Sequence, residues 1–331
     1  MIYPQPLCLT FVPVRATSAL MEHRRDAIDW ALFCALSALW ASAYAMTRGA
    51  VQSLPPEVII PARLAIGAII LNVALAFSGE RYPPLGDVKH WVMVVIMGFV
   101  GMTGPFFLIT TAQQTVDSSL AALYVAATPI FVVIGANAFF ADEKLTLPIA
   151  LGIGLGFVGV TVLFAPDVIR NYGSATAVAQ TLLIIATAFY ATSTLLARAA
   201  SRMQPLVFAA GFVTAGAVLS LPMLFSVDWD ALEPSAVSVL NVIGLGIGPS
   251  AIASLLYMAL VQRAGATFLS LTGYAIPILS ALLGWVLFRE AQSWHTLIAF
   301  ALILTGVWLA QRPAKQNSET ARMAKGETAP Q

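Results

Sequence analysis

The sequence predicts an all-α integral membrane protein in which ten transmembrane helices form two inverted five-helix repeats. Three observations predict this fold. Of the 331 residues, 59% are hydrophobic and only 10% are charged, whereas about 25% of the residues of an ordinary soluble domain are charged. Apolar stretches of membrane-spanning length follow one another along the chain, and two sequence patterns recur in its two halves at nearly the same spacing.

The composition restricts the classes of protein to which the chain can belong. A soluble enzyme of this size would need far more charged residues to cover its surface, so lipid is the expected solvent. The formal net charge of +1 provides no basic field for nucleic acid. The two cysteines, Cys8 and Cys34, are too few for a disulfide framework.

Ten apolar stretches approach the length of about 20 residues that a helix needs to cross a bilayer. Charged or Pro/Gly-rich segments separate them. The predicted spans run from Trp30 to Met46, Val58 to Phe77, Trp91 to Thr110, Ser119 to Phe140, Thr146 to Ala165, Val178 to Leu196, Val207 to Phe225, Ala236 to Leu260, Thr267 to Phe288 and Trp294 to Ala310. The strands of a membrane β-barrel would be shorter, with about ten alternating residues, so the pattern favours a helical bundle.

The distribution of lysine and arginine predicts the orientation. With the N-terminus inside, 13 of the 17 basic residues fall on the cytoplasmic side. Three, Arg48, Arg170 and Arg289, fall on the opposite side, and Arg63 lies within the second span. An even number of spans then places both termini in the cytoplasm.

The two ends of the chain lie outside the predicted bundle. Residues 1–26 are expected to form an N-terminal cytoplasmic segment. Met21, which precedes the charged residues Glu22 to Arg25, is an alternative start to Met1. Residues 313–331 are polar and are predicted to be a disordered cytoplasmic tail.

An internal repeat divides the chain into two predicted halves, residues 27–166 and 177–312. The stretch Ala38 to Pro55 aligns with Ala188 to Pro205 at an offset of 150 residues, and Pro129 to Glu143 aligns with Pro277 to Ala291 at an offset of 148. Each half holds five predicted spans, and an odd number makes the second copy enter the membrane from the opposite side. The alternative is that two Leu/Ala-rich helices align through composition alone.

These residues resemble the drug/metabolite transporter superfamily, in particular its EamA-like ten-helix members. The similar features are Trp40-Ala41-Ser42 in the first helix, Pro55, Pro56 and Arg63 around the second, the run Ala122 to Pro129 in the fourth, and the acidic residues that close that helix. The resemblance covers Ala27 to Arg312, although Ala41 stands where the family usually has glycine. It implies a multi-pass protein of the cell inner (plasma) membrane that moves a small metabolite, often exporting amino acids or related compounds.

Arg63 is the sharpest candidate for a functional residue. An unpaired charge within a span costs at least about 2.5 kcal/mol, so such residues are usually functional. Arg63 either binds a substrate carboxylate or acts in gating. The alternative is a structural role, in which it extends to the interface or pairs with Glu57 or Asp117.

Helix-breaking residues form the second group of candidates, because a proline frees a carbonyl and kinks a helix. Paired breaks in the two halves indicate a central cavity. The predicted hinge or gating residues are Gly104, Pro105, Pro129, Gly248, Pro249 and Pro277. Ordinary helix packing is the alternative, since Gly and Pro are common in membrane helices.

Aromatic and hydroxyl side chains at span depth form the third group, and they suit an amphipathic metabolite. Together with Arg63, the predicted substrate-binding residues are Trp40, Ser42, Tyr44, Tyr124, Thr128, Tyr190 and Tyr274. A wider set includes Gln113, Gln114, Asn137, Thr192, Tyr257 and Thr272. The alternative is that these side chains form hydrogen bonds between helices.

The residues therefore predict a secondary transporter that moves a small organic metabolite, an amino acid or related amphipathic compound, by alternating access, with export favoured. The expected partners are a small-molecule substrate and the lipid bilayer, without nucleic acid, cofactor or metal, and the chain is expected to be a monomer or weak dimer. The alternative functions are a membrane-embedded enzyme acting on lipid-linked substrates and a purely structural protein. The enzyme would need a cluster of His, Asp or Glu at one membrane face, and the sequence contains no recognisable catalytic motif of this kind.

Overall fold

A computed structural model of the chain describes residues 26–115, 121, 124–170, 177–276, 278–279 and 294–310. The regular secondary structure of these residues is helical. Residues 1–25 of the predicted N-terminal segment and the whole predicted tail lie outside the described residues, and so do Pro277 and Arg289.

Eleven α-helices are described, and three segments of other helical types lie beside them. The α-helices are α1 Ala27–Ala50, α2 Pro56–Ser78, α3 Val88–Gly98, α4 Gly104–Ala112, α5 Thr128–Phe139, α6 Leu147–Arg170, α7 Ala177–Ala199, α8 Pro205–Ser220, α9 Ala236–Leu245, α10 Ala253–Ser270 and α11 Trp294–Ala310. A π-helix, Phe99–Thr103, joins α3 to α4, and a second, Gly246–Ile252, joins α9 to α10. A 3-10 helix, Leu221–Ser226, follows α8.

Six helical segments of the described residues are long and apolar enough to cross a membrane. They are Ala27–Ala50, Pro56–Ser78, Val88–Ala112, Val178–Ala199, Pro205–Ser226 and Ala236–Ser270. Shorter apolar helices cover Thr128–Phe139, Leu147–Val162 and Leu297–Ala310. The segment Ala236–Ser270 contains a break at Gly265, where φ is 84° and ψ is 169°.

Local sequence explains where α1 begins and where α2 begins and ends. The Asp26 Oδ1 atom accepts a hydrogen bond from the Asp29 N–H at 2.9 Å, and Asp29 Oδ2 accepts one from the Asp26 N–H at 3.2 Å. This reciprocal capping satisfies backbone donors that the first helical turn leaves free. Pro56 occupies the first position of α2, where its missing N–H has no cost. Gly79 ends α2 with a left-handed φ of 77°.

Small residues allow the helices to approach one another closely. A Cβ atom at Gly98 of α3 would lie 2.7 Å from the backbone nitrogen of Gly216 in α8. A Cβ atom at Gly152 of α6 would lie 2.5 Å from the backbone nitrogen of Ala310 in α11. Close packing of this kind, rather than a hydrophobic driving force, holds helices together in lipid.

Large apolar side chains cover the outside of the bundle. Phe77, Phe139 and Phe225 are 88%, 67% and 92% exposed, and Ile69 and Leu240 are exposed as well. In a soluble protein such a surface would aggregate, whereas lipid solvates it. Buried apolar residues of α2, α8 and α10 belong to one core cluster, together with residues of α1, α3, α5, α6, α7 and α11.

Candidate functional site

A cavity of about 150 Å³ lies among the helices. Its described wall comes from α1, α2, the α3–α4 segment, the start of α5, α7, the α9–α10 segment and residues 269–276. Residues of both predicted halves therefore surround it.

Six of the residues predicted from the sequence line this cavity: Trp40, Tyr44, Arg63, Thr128, Tyr190 and Pro249. From the wider set, Gln113, Tyr257 and Thr272 line it as well. The structure thus brings together residues that lie more than 200 positions apart in the chain.

The other predicted substrate-binding residues lie outside the described wall. The Ser42 hydroxyl donates to the Leu39 carbonyl of its own helix at 2.8 Å. Tyr124 packs in an apolar cluster with Ile109 and Leu183. Tyr274 is fully buried, and its hydroxyl donates to the Ile153 carbonyl at 2.9 Å.

The predicted hinge residues that the structure describes lie at helix starts or within a π-helix. Pro105 is in the first turn of α4, and Pro129 is the second residue of α5. The Gly104 N–H bonds to the Phe99 carbonyl, five residues earlier, as in a π-helix. The Ala253 N–H bonds to the Gly248 carbonyl in the same way. π-Helical turns occur frequently at functional sites. Here Pro105 follows the first π-helix by two residues, and Pro249 lies within the second.

Helix periodicity explains which side chains reach the cavity. On α1 the wall is formed by Trp40, Ala43, Tyr44 and Thr47, which share one helix face because they are three, four and seven residues apart. On α7 the wall is formed by Tyr190, Ser193 and Thr194 with the same spacing. Ser193 and Thr194 were missed as candidates, although their distance from Tyr190 was a usable signal.

Arg63 contributes a buried cation to the wall. The residue is 6% exposed. Its Nε donates to the Ser250 hydroxyl at 3.1 Å, and its Cζ lies 4.0 Å from the centre of the Phe106 ring. No ion pair joins Arg63 to a carboxylate of the described residues, which include Glu57 but not Asp117. Its two described partners are both uncharged, so its charge is not neutralised by them.

Six aliphatic hydroxyls of the cavity wall offer acceptors rather than donors. Thr128 donates to the Val125 carbonyl at 2.6 Å, and Ser193 and Thr194 both donate to the Tyr190 carbonyl at 2.9 Å. Ser254, Ser270 and Thr272 likewise donate to carbonyls three or four residues earlier in the chain. A hydroxyl has a single proton, so each of these groups keeps only lone pairs for another partner.

Two buried polar groups in the wall are the Tyr257 hydroxyl and the Gln113 Nε2 atom. The Tyr257 hydroxyl lies beside the Ser193 and Thr194 side chains, whereas Gln113 Nε2 has no hydrogen-bond partner among the described residues. The Tyr257 ring lies 5.8 Å from the Trp40 ring, centroid to centroid. An unpaired buried polar group costs about 1 to 3 kcal/mol, so a ligand that bonds to it gains binding energy.

An ionic cluster at one end of the bundle, defined by Asp142, Glu143, Arg198 and Thr267, joins three elements. Arg198 at the end of α7 pairs with Asp142 and, from Nε to Glu143 Oε1 at 3.0 Å, with Glu143. The Glu143 carboxylate also accepts hydrogen bonds from the Ala266 N–H at 2.9 Å and the Thr267 N–H at 2.7 Å. It thereby caps the helix that resumes after Gly265.

A second ionic cluster joins α1 to α10. The Arg263 guanidinium donates to Asp29 and Asp26, each at 2.8 Å. The hydrogen bond from the Asp29 N–H, together with the Arg263 guanidinium, lowers the pKa of Asp26 below its ordinary value, despite an opposing desolvation effect. Among the described residues, no three His, Cys, Asp or Glu side chains come together as a metal site.

The matches to known proteins complete this description. The model of the EamA-like transporter family matches residues 29–165 and 178–311. The chain belongs to the EamA-like transporter family. Membership implies a small-molecule substrate and a protein embedded in the membrane.

Three relatives of this EamA-like protein have informative names. It is 28% identical to the "Aromatic amino acid exporter YddG" of Ancylobacter novellus, over 84% of this chain and 95% of that protein. It is 26% identical to a "Probable terminal-alkyne amino-acid exporter" of Streptantibioticus cattleyicolor, over 86% and 93%. It is 27% identical to the "Uncharacterized inner membrane transporter YedA" of Escherichia coli, over 86% and 92%.

A solved crystal structure shares the fold. The alignment has a TM-score of 0.71 at 24% sequence identity and covers 86% of this chain and 98% of the other.

Proposed function

We propose that this EamA-like protein is a secondary transporter that exports a small carboxylate-bearing metabolite of the amino-acid class across the inner membrane. One observation supports a carboxylate-bearing substrate. The buried Arg63 guanidinium lies in the cavity wall without a carboxylate partner among the described residues. A buried cation without a counter-ion is unfavourable. A substrate carboxylate supplies that counter-ion and can accept two parallel hydrogen bonds from the guanidinium.

The proposed architecture is ten transmembrane helices in two inverted halves, residues 27–166 and 177–312. The family model matches the chain twice, once within each of these ranges, which supports the repeat. The two π-helices support it too, because Phe99–Thr103 and Gly246–Ile252 occupy similar positions in the two halves. The break at Gly265 supports separate eighth and ninth helices.

The proposed mechanism is alternating access, with Gly104, Pro105, Pro129, Gly248, Pro249 and Pro277 as hinge positions. The cavity extends to Thr47 and Gln113, near the carboxyl ends of α1 and α4. The second ionic cluster lies at the opposite, amino end of α1. Both ionic clusters connect the two proposed halves, so opening of this end requires these contacts to break.

The positions of the basic residues favour a cytoplasmic location for the end with the ionic clusters, with both termini on the same side. In that orientation the cavity is directed away from the cytoplasm. Export is the proposed direction because two relatives are named amino-acid exporters. The aromatic wall, which includes Trp40, Tyr44 and Tyr190, suits the apolar part of such a substrate. Ser42, Tyr124 and Tyr274 remain predictions.

Counterflow in proteoliposomes tests the proposal. Purified protein is reconstituted into vesicles loaded with unlabelled amino acids, and the uptake of labelled L-phenylalanine and other labelled amino acids is followed. We expect accumulation with the wild type, none with Arg63→Gln, and full activity with Arg202→Gln. Arg202 is an exposed arginine outside the cavity wall and serves as the matched control. A folded wild type that accumulates none of these compounds would overturn the proposal.

A further inference from the structure

We propose that a second subsite in the same cavity, formed by Trp40, Ser193, Thr194 and Tyr257, binds the ammonium group of a zwitterionic substrate. This inference rests on the proposed function, because it assigns the second charge of a substrate whose carboxylate binds Arg63. We call these four residues the ammonium subsite.

The wall contains a group that can only donate hydrogen bonds and others that can accept them, so it can bind two different chemical groups of one substrate. Arg63 offers only donors, so it suits a carboxylate and repels a cation. An ammonium group has three donors and no acceptor. The hydroxyls of Ser193 and Thr194 have already donated to the Tyr190 carbonyl, which leaves their lone pairs as acceptors.

Tyr257 brings a third oxygen atom to the subsite. It is 6% exposed, and its hydroxyl lies beside the side-chain hydroxyls of Ser193 and Thr194. It lies on α10, which packs against α7, the helix that carries Ser193 and Thr194. A bound N–H group can use the lone pairs of this phenol oxygen together with those of the two neighbouring hydroxyls.

The ring pair of Trp40 and Tyr257 adds a second attraction. The rings lie 5.8 Å apart and both line the cavity. The faces of Trp and Tyr attract a cation such as an ammonium group. Phe106 does not compete for this role, because the Arg63 guanidinium already lies over its ring.

Neutral acceptors have an advantage over a carboxylate at this position. None of the described lining residues is Asp or Glu. A carboxylate in the wall would attract Arg63 and compete with the substrate for it. Hydroxyl and phenol oxygens bind the ammonium group and leave Arg63 free, so the wall favours a zwitterion over both a simple anion and a simple cation.

Three probes that share one phenyl ring test the contributions of the two charged groups to binding separately. L-Phenylalanine carries both groups, 3-phenylpropanoate carries only the carboxylate, and 2-phenylethylamine carries only the ammonium group. Binding of each probe to the purified protein is measured by calorimetry. We expect L-phenylalanine to bind at least about tenfold more tightly than 3-phenylpropanoate, since it gains hydrogen bonds from a charged group. We expect no binding of 2-phenylethylamine.

Four variants test the subsite. We expect Tyr257→Phe and Thr194→Val each to weaken L-phenylalanine binding about tenfold while leaving 3-phenylpropanoate binding unchanged. Thr192→Val is the matched control, because Thr192 lies two residues away on α7, is exposed and does not line the cavity. Arg63→Gln should weaken the binding of both carboxylate probes. Melting temperatures identify any variant that fails to fold, and Ser193→Ala then replaces it.

The outcomes distinguish the two proposals. If Tyr257→Phe and Thr194→Val weaken L-phenylalanine and 3-phenylpropanoate equally, or neither of them, the ammonium subsite is wrong and the carboxylate site at Arg63 stands. If 2-phenylethylamine binds as tightly as L-phenylalanine, both assignments are wrong. If neither carboxylate probe binds the folded wild type, and counterflow with other amino acids also fails, the proposed function itself falls.

Discussion

The Arg198 guanidinium forms an ion pair with the Glu143 carboxylate, with 3.0 Å between Nε and Oε1. The Glu143 side chain is 9% exposed, whereas that of Asp142, the other carboxylate beside Arg198, is 62% exposed. Glu143 also accepts the Ala266 and Thr267 N–H groups. One carboxylate therefore stabilises the end of α7 and the start of the helix after Gly265, and the latter helix contributes Leu269, Ser270 and Ile276 to the cavity wall.

Neutralising Glu143 should destabilise the protein more than neutralising Asp142. Glu143→Gln removes the charge that holds Arg198 and weakens two backbone hydrogen bonds, so we expect the free energy of unfolding to fall by about 1 to 2 kcal/mol. Asp142→Asn should have an effect below about 1 kcal/mol, because exposed ion pairs contribute little. Thermal unfolding in detergent measures both variants. Equal losses would show that the buried capping interaction is unimportant.

Gly265 should not tolerate a side chain. Its φ of 84° and ψ of 169° belong to a region that essentially only glycine occupies, where other residues pay about 1 to 3 kcal/mol. A Cβ atom there would also lie 2.9 Å from Glu143 Oε1. We expect Gly265→Ala to lower the melting temperature clearly. Gly86→Ala is the control, because no atom lies within 4 Å of a Cβ at that position, and a similar loss there would argue against the strain.

Gly152 should be essential for the contact between α6 and α11. A Cβ atom at Gly152 would lie 2.5 Å from both the Ala310 nitrogen and the Gly306 oxygen, which are backbone atoms that cannot move independently. Gly152→Val should therefore separate the helices and lower the melting temperature. Gly154→Val should be tolerated, since its Cβ meets nothing within 4 Å. Comparison of the two melting curves tests this close approach, and identical curves would contradict it.

Hydropathy predicted most of the helical segments, because length and apolar composition decide whether a segment can cross lipid. Their ends were harder to predict. The Asp26 cap starts α1 three residues before Trp30, and α3 starts at Val88, three residues before Trp91. Caps at Asp26 and Asp87 are local side-chain contacts that a hydropathy average does not register.

The residues of the cavity wall could be predicted only in part, because depth in the membrane does not specify which side of a helix faces inward. Tyr44 and Ser42 lie at similar depth on α1, yet only Tyr44 shares the helix face of Trp40. Tyr274 illustrates the same limit, since its hydroxyl bonds to Ile153 in a neighbouring helix. The hydrogen bond from Arg63 to Ser250 depends on how α2 packs against the second π-helix. No local sequence pattern encodes that contact.

The contacts of Asp26 should make stability depend on pH. The pKa of Asp26 lies below its ordinary value of 3.8, so its interactions with the Asp29 N–H and Arg263 stabilise the folded state at neutral pH. They are lost as the pH falls through the lowered pKa. We expect the melting temperature of Asp26→Asn to lie below that of the wild type at pH 7 and the difference to shrink below about pH 4. A difference independent of pH would exclude the carboxylate charge as its source.

Replacing Arg63 with lysine should separate the effect of its charge from that of its geometry. Lysine keeps a positive charge but lacks the planar fork that donates two parallel hydrogen bonds to a carboxylate, and it loses the stacking on Phe106. We therefore expect Arg63→Lys to bind L-phenylalanine about tenfold more weakly than the wild type, and Arg63→Gln to bind it more weakly still. Calorimetry on the three proteins gives this order. If lysine binds as well as arginine, a point charge is sufficient, and if glutamine does so, Arg63 does not bind the carboxylate.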